Sequence, residues 1–262
     1  MMTSTHTPPA AIILAAGKGT RMGGDLPKVL HEVAGRPMIC WVVDACKRAG
    51  VGTIVVVVGY KAQEVRQALA DEPTCVFVEQ TEQLGTGHAA RMAQPVFEQQ
   101  SIEDTFVLAG DGPLIRHTTL ARLLEIHRRR KSQATLATAI LDDPTGYGRV
   151  TRTEAGEFDA IVEQKDATDA QLAVCEVNPS YYCFDTAALF TTLEQVSNQN
   201  ASGEYYLTDV PGLLKQQGKT VVVIDAVPAE DVLSINTPDQ LAQVDRLLTA
   251  RLTHAHSKGQ PA

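Results

Sequence analysis

Four short apolar runs, separated by longer amphipathic stretches, constrain the fold of this chain more than any other feature. AIILAA (Ala11 to Ala16), TIVVVVG (Thr53 to Gly59), CVFVE (Cys75 to Glu79) and TFVLAGD (Thr105 to Asp111) read as buried strands. Helix-like segments lie between and after them, from Pro37 to near Gly50, Lys61 to Ala70, His88 to Glu98 and Thr118 to Lys131. The first of these has proline in its opening turn and glycine at its stop, both favoured positions. The alternation predicts βαβ units with right-handed crossovers and a largely parallel sheet, the mark of an α/β protein.

The second half has shorter connections. ATLATAIL (Ala134 to Leu141), YGRV (Tyr147 to Val150), FDAIVEQ (Phe158 to Gln164) and the stretch from Val177 to Phe184 predict further strands, some antiparallel, in a substrate-facing lobe. TVVVIDA (Thr220 to Ala226) returns to a buried strand, and an amphipathic helix follows Pro238. No linker or fixed repeat divides the chain, so residues 11–253 are expected to form one domain with halves of about 11–133 and 134–253. Residues 1–10 read as a flexible lead and 254–262 as a frayed tail, whose His254 and His256 are weak evidence for a metal.

Composition excludes several classes of partner. A net charge of −8 over 262 residues opposes binding to nucleic acid or anionic lipid, which require a basic face. The longest basic run, His127 to Lys131, ends a predicted helix, where cations complement the dipole and face solvent. No apolar run approaches the roughly 20 residues of a membrane helix. The first residues lack the basic and apolar regions of a secretory signal. The five cysteines have no CxxC spacing and mostly apolar neighbours, so buried free thiols and a reducing cytoplasm are expected.

The first strand runs into Gly17-Lys18-Gly19-Thr20-Arg21-Met22-Gly23-Gly24-Asp25-Leu26-Pro27-Lys28, with three cations against one acid. Glycines let backbone N–H groups approach an anion closely, and a loop leaving a parallel strand is where open α/β sheets place ligands. Two familiar phosphate motifs fail here. Met22 stands where a dinucleotide fingerprint needs glycine, which disfavours an NAD-dependent oxidoreductase, and no Gly-Lys-Ser/Thr closes the loop as a Walker A motif requires.

LAAGKGTRMGGDLPKVLHEVAGRPMI resembles the signature of the nucleoside-diphosphate-sugar pyrophosphorylase superfamily. QTEQLGTGHA (Gln80 to Ala89), GDGPLI (Gly110 to Ile115), DDPTGYGRV (Asp142 to Val150), IVEQKDAT (Ile161 to Thr168) and GEYYLTDV (Gly203 to Val210) follow in family order. Together they resemble the pyrophosphorylase half of the bacterial bifunctional UDP-N-acetylglucosamine pyrophosphorylase/glucosamine-1-phosphate acetyltransferase family. The resemblance spans about Ala11 to Leu248. It implies a Rossmann-like doubly wound mixed, mostly parallel sheet of the nucleotide-diphospho-sugar transferase kind, with a smaller substrate-facing β lobe.

It also implies roles. Leu14, Ala15, Ala16 and Gly17 would hold base and ribose by their backbone, and Arg21 and Lys28 would grip the triphosphate. Gln80, Gly85 and Thr86 would read uracil, a glutamine amide offering both donor and acceptor. Asp111 and Asn236 would bind Mg²⁺, Asp111 also bordering the nucleotide, since carboxylate and amide oxygens suit that ion. Gly148, Glu163 and Asn178 would hold the sugar. On residues alone, Gln80 could equally solvate a loop, Asp111 end a turn, Asn236 start a helix and Glu163 pair at the surface with Lys165. The implied reaction is Mg²⁺-assisted in-line attack of N-acetylglucosamine 1-phosphate on the α-phosphorus of UTP, with Arg21, Lys28 and Asp111 as the catalytic set.

This chain departs from the family pattern on the sugar side. Ala109 replaces a common tyrosine, Gly112 a common valine, and Asn178-Pro179-Ser180 an Asn-Thr-Gly. Another sugar 1-phosphate, such as glucose 1-phosphate, with UTP or dTTP therefore stays open, as does a nucleotide-sugar sensor without turnover. The hexapeptide-repeat β-helix that trimerises the bifunctional enzymes is missing, so a monomer is expected, without acetyl transfer.

Overall fold

The computed structural model describes residues 6–19, 22, 24–233 and 235–257. β1 (Ala10–Ala15) leads through a 3₁₀ turn (Lys28–Leu30) and a small hairpin, β2 (Glu32–Val33) and β3 (Arg36–Pro37), into α1 (Met38–Arg48). There follow β4 (Thr53–Val58), α2 (Ala62–Ala68), β5 (Cys75–Glu79), α3 (Thr86–Arg91), α4 (Gln94–Phe97), β6 (Asp104–Ala109) and α5 (His117–Arg130). The second half runs β7 (Ala134–Ile140), β8 (Gly148–Arg152), β9 (Phe158–Val162), α6 (Asp169–Leu172), β10 (Glu176–Asp185) and α7 (Thr186–Leu193). It closes with α8 (Asp209–Gln216), β11 (Val221–Asp225) and α9 (Pro238–Ser257).

One nine-stranded sheet passes through both halves in the order β11-β7-β10-β6-β1-β4-β5, with β8 paired to β10 and β9 to β8. β6, β1, β4 and β5 are mutually parallel, as their apolar runs predict. β10 enters antiparallel between β6 and β7, and β8 and β9 extend from it as an antiparallel pair.

Alternation of side chains along each strand divides the core between two faces. Ile13, Ile54, Val56 and Phe106 pack with Ile39 and Val42 of α1, Val65 of α2 and Leu120 of α5. The intervening Ile12, Val55, Val57 and Val107 meet Ala90 of α3, Leu189 and Leu193 of α7, and Val210 and Leu214 of α8. Each such apolar side chain contributes roughly 1.5–3 kcal/mol on burial. The sheet is thus a rigid platform for whatever its strand ends carry.

Several elements differ from expectation for identifiable reasons. The segment His88 to Glu98 is two helices, because Pro95 has no N–H to continue the first and sits in the opening turn of the second. α7 and α8 were hidden by composition. The apolar TAALFTTL continues the apolar strand before it, and only Asp185, which accepts from the Ala188 N–H at 2.8 Å, marks the start of a helix. The basic run after Ile126 is only partly a solvated helix end: Arg128 Nε lies 2.6 Å from Asp104 Oδ2, and buried His127 bonds Thr135 across 3.0 Å. α9 continues through Ser257, past the expected end of the folded part. The cysteines are unpaired, but only Cys46 and Cys183 are buried, and Cys175 is exposed. Among the described residues no helix is long and apolar enough to cross a membrane.

Candidate active site

The loops at the C-terminal ends of β1, β5 and β6 meet over two adjoining cavities. The first, about 370 Å³, is lined by Leu14, Ala15, Ala16, Gly17, Lys28, Gln80, Gly85, Thr86 and Asp111, among others. The second, about 220 Å³, is lined by Gly148, Asn178 and Asn236, again among others. Lys28, Ala109, Asp111, Glu163 and Ser180 border both. Every site residue expected from sequence lies on this cleft except Arg21, which is outside the described residues. A larger cavity, about 670 Å³, opens between α1 and α9 beside Trp41, Leu114 and Leu248, and none of the expected site residues lines it.

Close backbone packing places Asp111. β6 leaves the sheet against β1, where the Gly110 N–H donates to Leu14 O at 2.9 Å. A Cβ at Gly110 would stand 2.9 Å from that same oxygen, so only glycine permits the approach. Lys28 arrives on the 3₁₀ turn, anchored by the buried Val29 and Leu30 beside it. Its Nζ lies 2.5 Å from Asp111 Oδ2 and 3.0 Å from Asn236 Oδ1. Three residues distant in sequence thus converge where the cavities join.

The ammonium sits between a carboxylate and an amide oxygen, as a cation held by an all-oxygen donor set. That set suits Mg²⁺ in chemistry, although two protein oxygens leave most of the coordination to phosphate and water. Among the described residues no group of three or more His, Cys, Asp and Glu side chains could hold a metal by itself. The acid of the glycine-rich loop is neutralised from outside: Asp25 pairs with Lys61 at 2.6 Å and accepts from Tyr60 Oη. The hydrogen bond from Lys61 holds the Asp25 carboxyl below the usual carboxylate range.

The 370 Å³ cavity, the larger of the two in the cleft, is walled by two segments far apart in sequence. Gly85 has φ of +110°, outside the range of most residues, and a Cβ there would lie 2.6 Å from Tyr205 O. The Gly87 N–H donates to Tyr205 O at 2.8 Å, Tyr205 N–H donates to Leu84 O at 2.8 Å, and Leu207 N–H donates to Thr86 Oγ1 at 3.0 Å. Gln80 is not the loop solvator that its residue type alone allows, since it is 3% exposed and packed in this wall. Nothing in the sequence of GEYYLTDV marks which of its residues face the cavity. Leu207 and Thr208 line the cavity, as do Gln83 and Tyr182.

On the smaller side, Glu163 faces the cleft and not Lys165, whose ammonium goes to Ser202 at 3.2 Å. Burial pushes the Glu163 carboxyl above its ordinary range, partly offset by the Thr208 hydroxyl that donates to it at 2.9 Å. Asn178 Nδ2 donates to Tyr182 Oη at 2.6 Å, and its Oδ1 accepts from the Ser180 N–H at 3.1 Å. This turn holds Ser180 at φ +64°, the left-handed region that disfavours L side chains. Ser180→Gly is expected to raise stability by about 0.5–1 kcal/mol by releasing that strain. Urea unfolding checks it, and an unchanged or lower midpoint would mean that the serine hydroxyl outweighs the strain.

Residues 11–206 match the MobA-like NTP transferase domain. The chain is 48% identical over 242 residues to the bifunctional protein GlmU of Heliobacterium modesticaldum, covering 92% of this chain and 52% of that protein. It is 42% identical over 246 residues to the bifunctional protein GlmU of Bacillus subtilis, covering 94% of this chain and 53% of that protein. The chain thus spans about half the length of the curated relatives it matches. Among solved structures, a UDP-glucose pyrophosphorylase complexed with UDP-glucose superposes with a TM-score of 0.75 at 14% identity, covering 94% of this chain and 100% of the other. That likeness establishes the fold alone.

Proposed function

The chain belongs to the MobA-like NTP transferase family, and from that premise we propose that it joins UTP to N-acetylglucosamine 1-phosphate, releasing pyrophosphate. The observation that carries the reading is the cleft itself: two compartments that share Lys28 and Asp111 at their junction. A nucleotide in the larger compartment and a sugar 1-phosphate in the smaller would bring their phosphates together at that lysine. The likeness to the bifunctional GlmU proteins over more than nine-tenths of this chain supports the nucleotide-sugar reading. The unpaired cysteines support a cytoplasmic setting, and the continuous sheet supports one domain over residues 11–253.

The attacking group is already an anion, so the protein needs no nucleophile. An oxygen of the sugar phosphate forms the new bond to the α-phosphorus, and the bond to the bridging oxygen of pyrophosphate breaks. The Lys28 ammonium neutralises charge on the transferring phosphorus, with Arg21 assigned to the triphosphate alongside it. The backbone of Leu14 to Gly17 and the Gln80–Gly85–Thr86 wall hold the nucleoside in line. Gly148 leaves room for the sugar, Glu163 accepts from its hydroxyls, and Asn178 shapes the turn beside it. Asp111 and Asn236 would hold Mg²⁺, which supplies Lewis-acid neutralisation of phosphate charge when bound. Asp111→Asn should raise the Mg²⁺ concentration for half-maximal rate by roughly tenfold or more. An unchanged requirement would move the metal elsewhere.

A different sugar is favoured by one feature. Ala109 offers only a methyl where the compartments meet, and Gly112 no side chain in the smaller one. The test is pyrophosphate release with Mg²⁺, crossing UTP, dTTP and CTP with several sugar 1-phosphates. Release confined to UTP with N-acetylglucosamine 1-phosphate supports the reading. Release with another pair replaces the substrate, and nucleotide binding without release replaces the transferase by a sensor.

A further inference from the structure

The Gln80 amide has an orientation that its surroundings force. Its Nε2 lies 3.1 Å from Gly85 O and 2.9 Å from His88 Nδ1. Gly85 O is a carbonyl and can only accept, so the NH₂ end must face it; the flipped amide would set two oxygens against each other. One amide hydrogen then goes to Gly85 O and the other to His88 Nδ1. His88 must therefore accept at Nδ1, which places its ring proton on Nε2.

The consequence falls on what remains for a ligand. With both hydrogens engaged, Gln80 has only Oε1 to offer, and no described residue donates to that oxygen. Gln80 lines the larger of the two cleft cavities beside Leu14 to Gly17 and Thr86, the compartment assigned to the nucleotide. A base read there meets a fixed acceptor. Uracil and thymine carry a ring N–H on their pairing edge, whereas cytosine carries a lone pair at the same position.

We propose that His88 is a specificity-positioning residue: by taking the second amide hydrogen it makes Gln80 a pure acceptor, so the pocket selects an imide base and rejects cytosine. The inference rests on the larger cavity taking the nucleotide, as the functional reading has it. It goes further by naming the residue that sets the base and the chemical reason. His88 touches no reacting atom; it acts through Gln80.

The test uses the full chain with Mg²⁺ and compares UTP with CTP, both by calorimetric binding and by KM and kcat in pyrophosphate release. Wild type should prefer UTP. His88→Leu frees one amide hydrogen, so the preference should fall by roughly tenfold or more, carried by KM for UTP and not by kcat. His88→Asn places an amide oxygen near the former Nδ1 and should restore most of it. An unchanged UTP-to-CTP ratio in folded His88→Leu, or an Asn variant no better than Leu, overturns the proposal. If wild type binds UTP over CTP yet releases no pyrophosphate, the transferase reading falls and this one stands. Equal binding of the two nucleotides by wild type sinks this one alone.

Discussion

Lys28→Ala is expected to lower kcat by about 10²–10³-fold while leaving the fold intact. The lysine is the one described cation that borders both compartments, and its Nζ reaches Asp111 at 2.5 Å and Asn236 at 3.0 Å. Charge develops on the transferring phosphoryl group, so a fixed ammonium beside it acts mainly in the transition state. The fold should notice little. The Lys28 side chain is 17% exposed, that of Asp111 30%, and partly hydrated pairs of this kind contribute about 1 kcal/mol or less. Steady-state pyrophosphate release gives the rate and urea unfolding the stability. Turnover close to wild type would remove Lys28 from the chemistry, and a collapsed unfolding midpoint would make its role structural.

Gly85→Ala should damage structure and site together. At φ of +110° an L side chain is strained whatever the space around it, and the added Cβ would lie 2.6 Å from Tyr205 O and 2.8 Å from Tyr205 N. Both contacts are backbone, held by Tyr205 N–H to Leu84 O and by Gly87 N–H to Tyr205 O, so no side-chain rotation relieves them. Strain and overpacking at one residue are expected to cost about 2–4 kcal/mol. Moving Gly85 O also withdraws the acceptor that orients Gln80, so nucleotide affinity should fall more than kcat. Calorimetric unfolding together with UTP titration reads both quantities. Wild-type stability would mean that the segment shifts freely, and unchanged affinity would detach it from the base.

The sequence was most legible where one chemical rule dominates. Uniform apolar runs are buried strands, and all four in the first half were placed within a residue or two of their ends. A glycine-rich loop leaving the first strand points to the end of the sheet where the cleft opens. Antiparallel β10 was expected in kind, but its position between β6 and β7 was not, because strand order depends on long-range pairing that no local pattern encodes. α7 escaped because an element packed against a sheet can be apolar enough to lose its period, and α8 because its Pro211-Gly212 reads as a breaker. In the site, Gln80, Asp111 and Asn236 were found by resemblance, since their residue types alone suit turns and helix starts equally well. The roles of His88, Thr208 and Ser180 were not legible. Each acts through a neighbour: His88 on the Gln80 amide, Thr208 on Glu163, and Ser180 in a turn made by Asn178.

The pairing between Thr86 and Leu207 bridges 121 positions of chain. Neither partner can make the wall alone. The backbone around Gly85 is held by Tyr205 and Leu207, and the strands β6 to β10 lie between these segments in the chain. Contacts of such high sequence separation incur their loop-closure entropy before any favourable energy returns. The wall around Gly85 is accordingly expected to close late in folding, after the sheet that supports it.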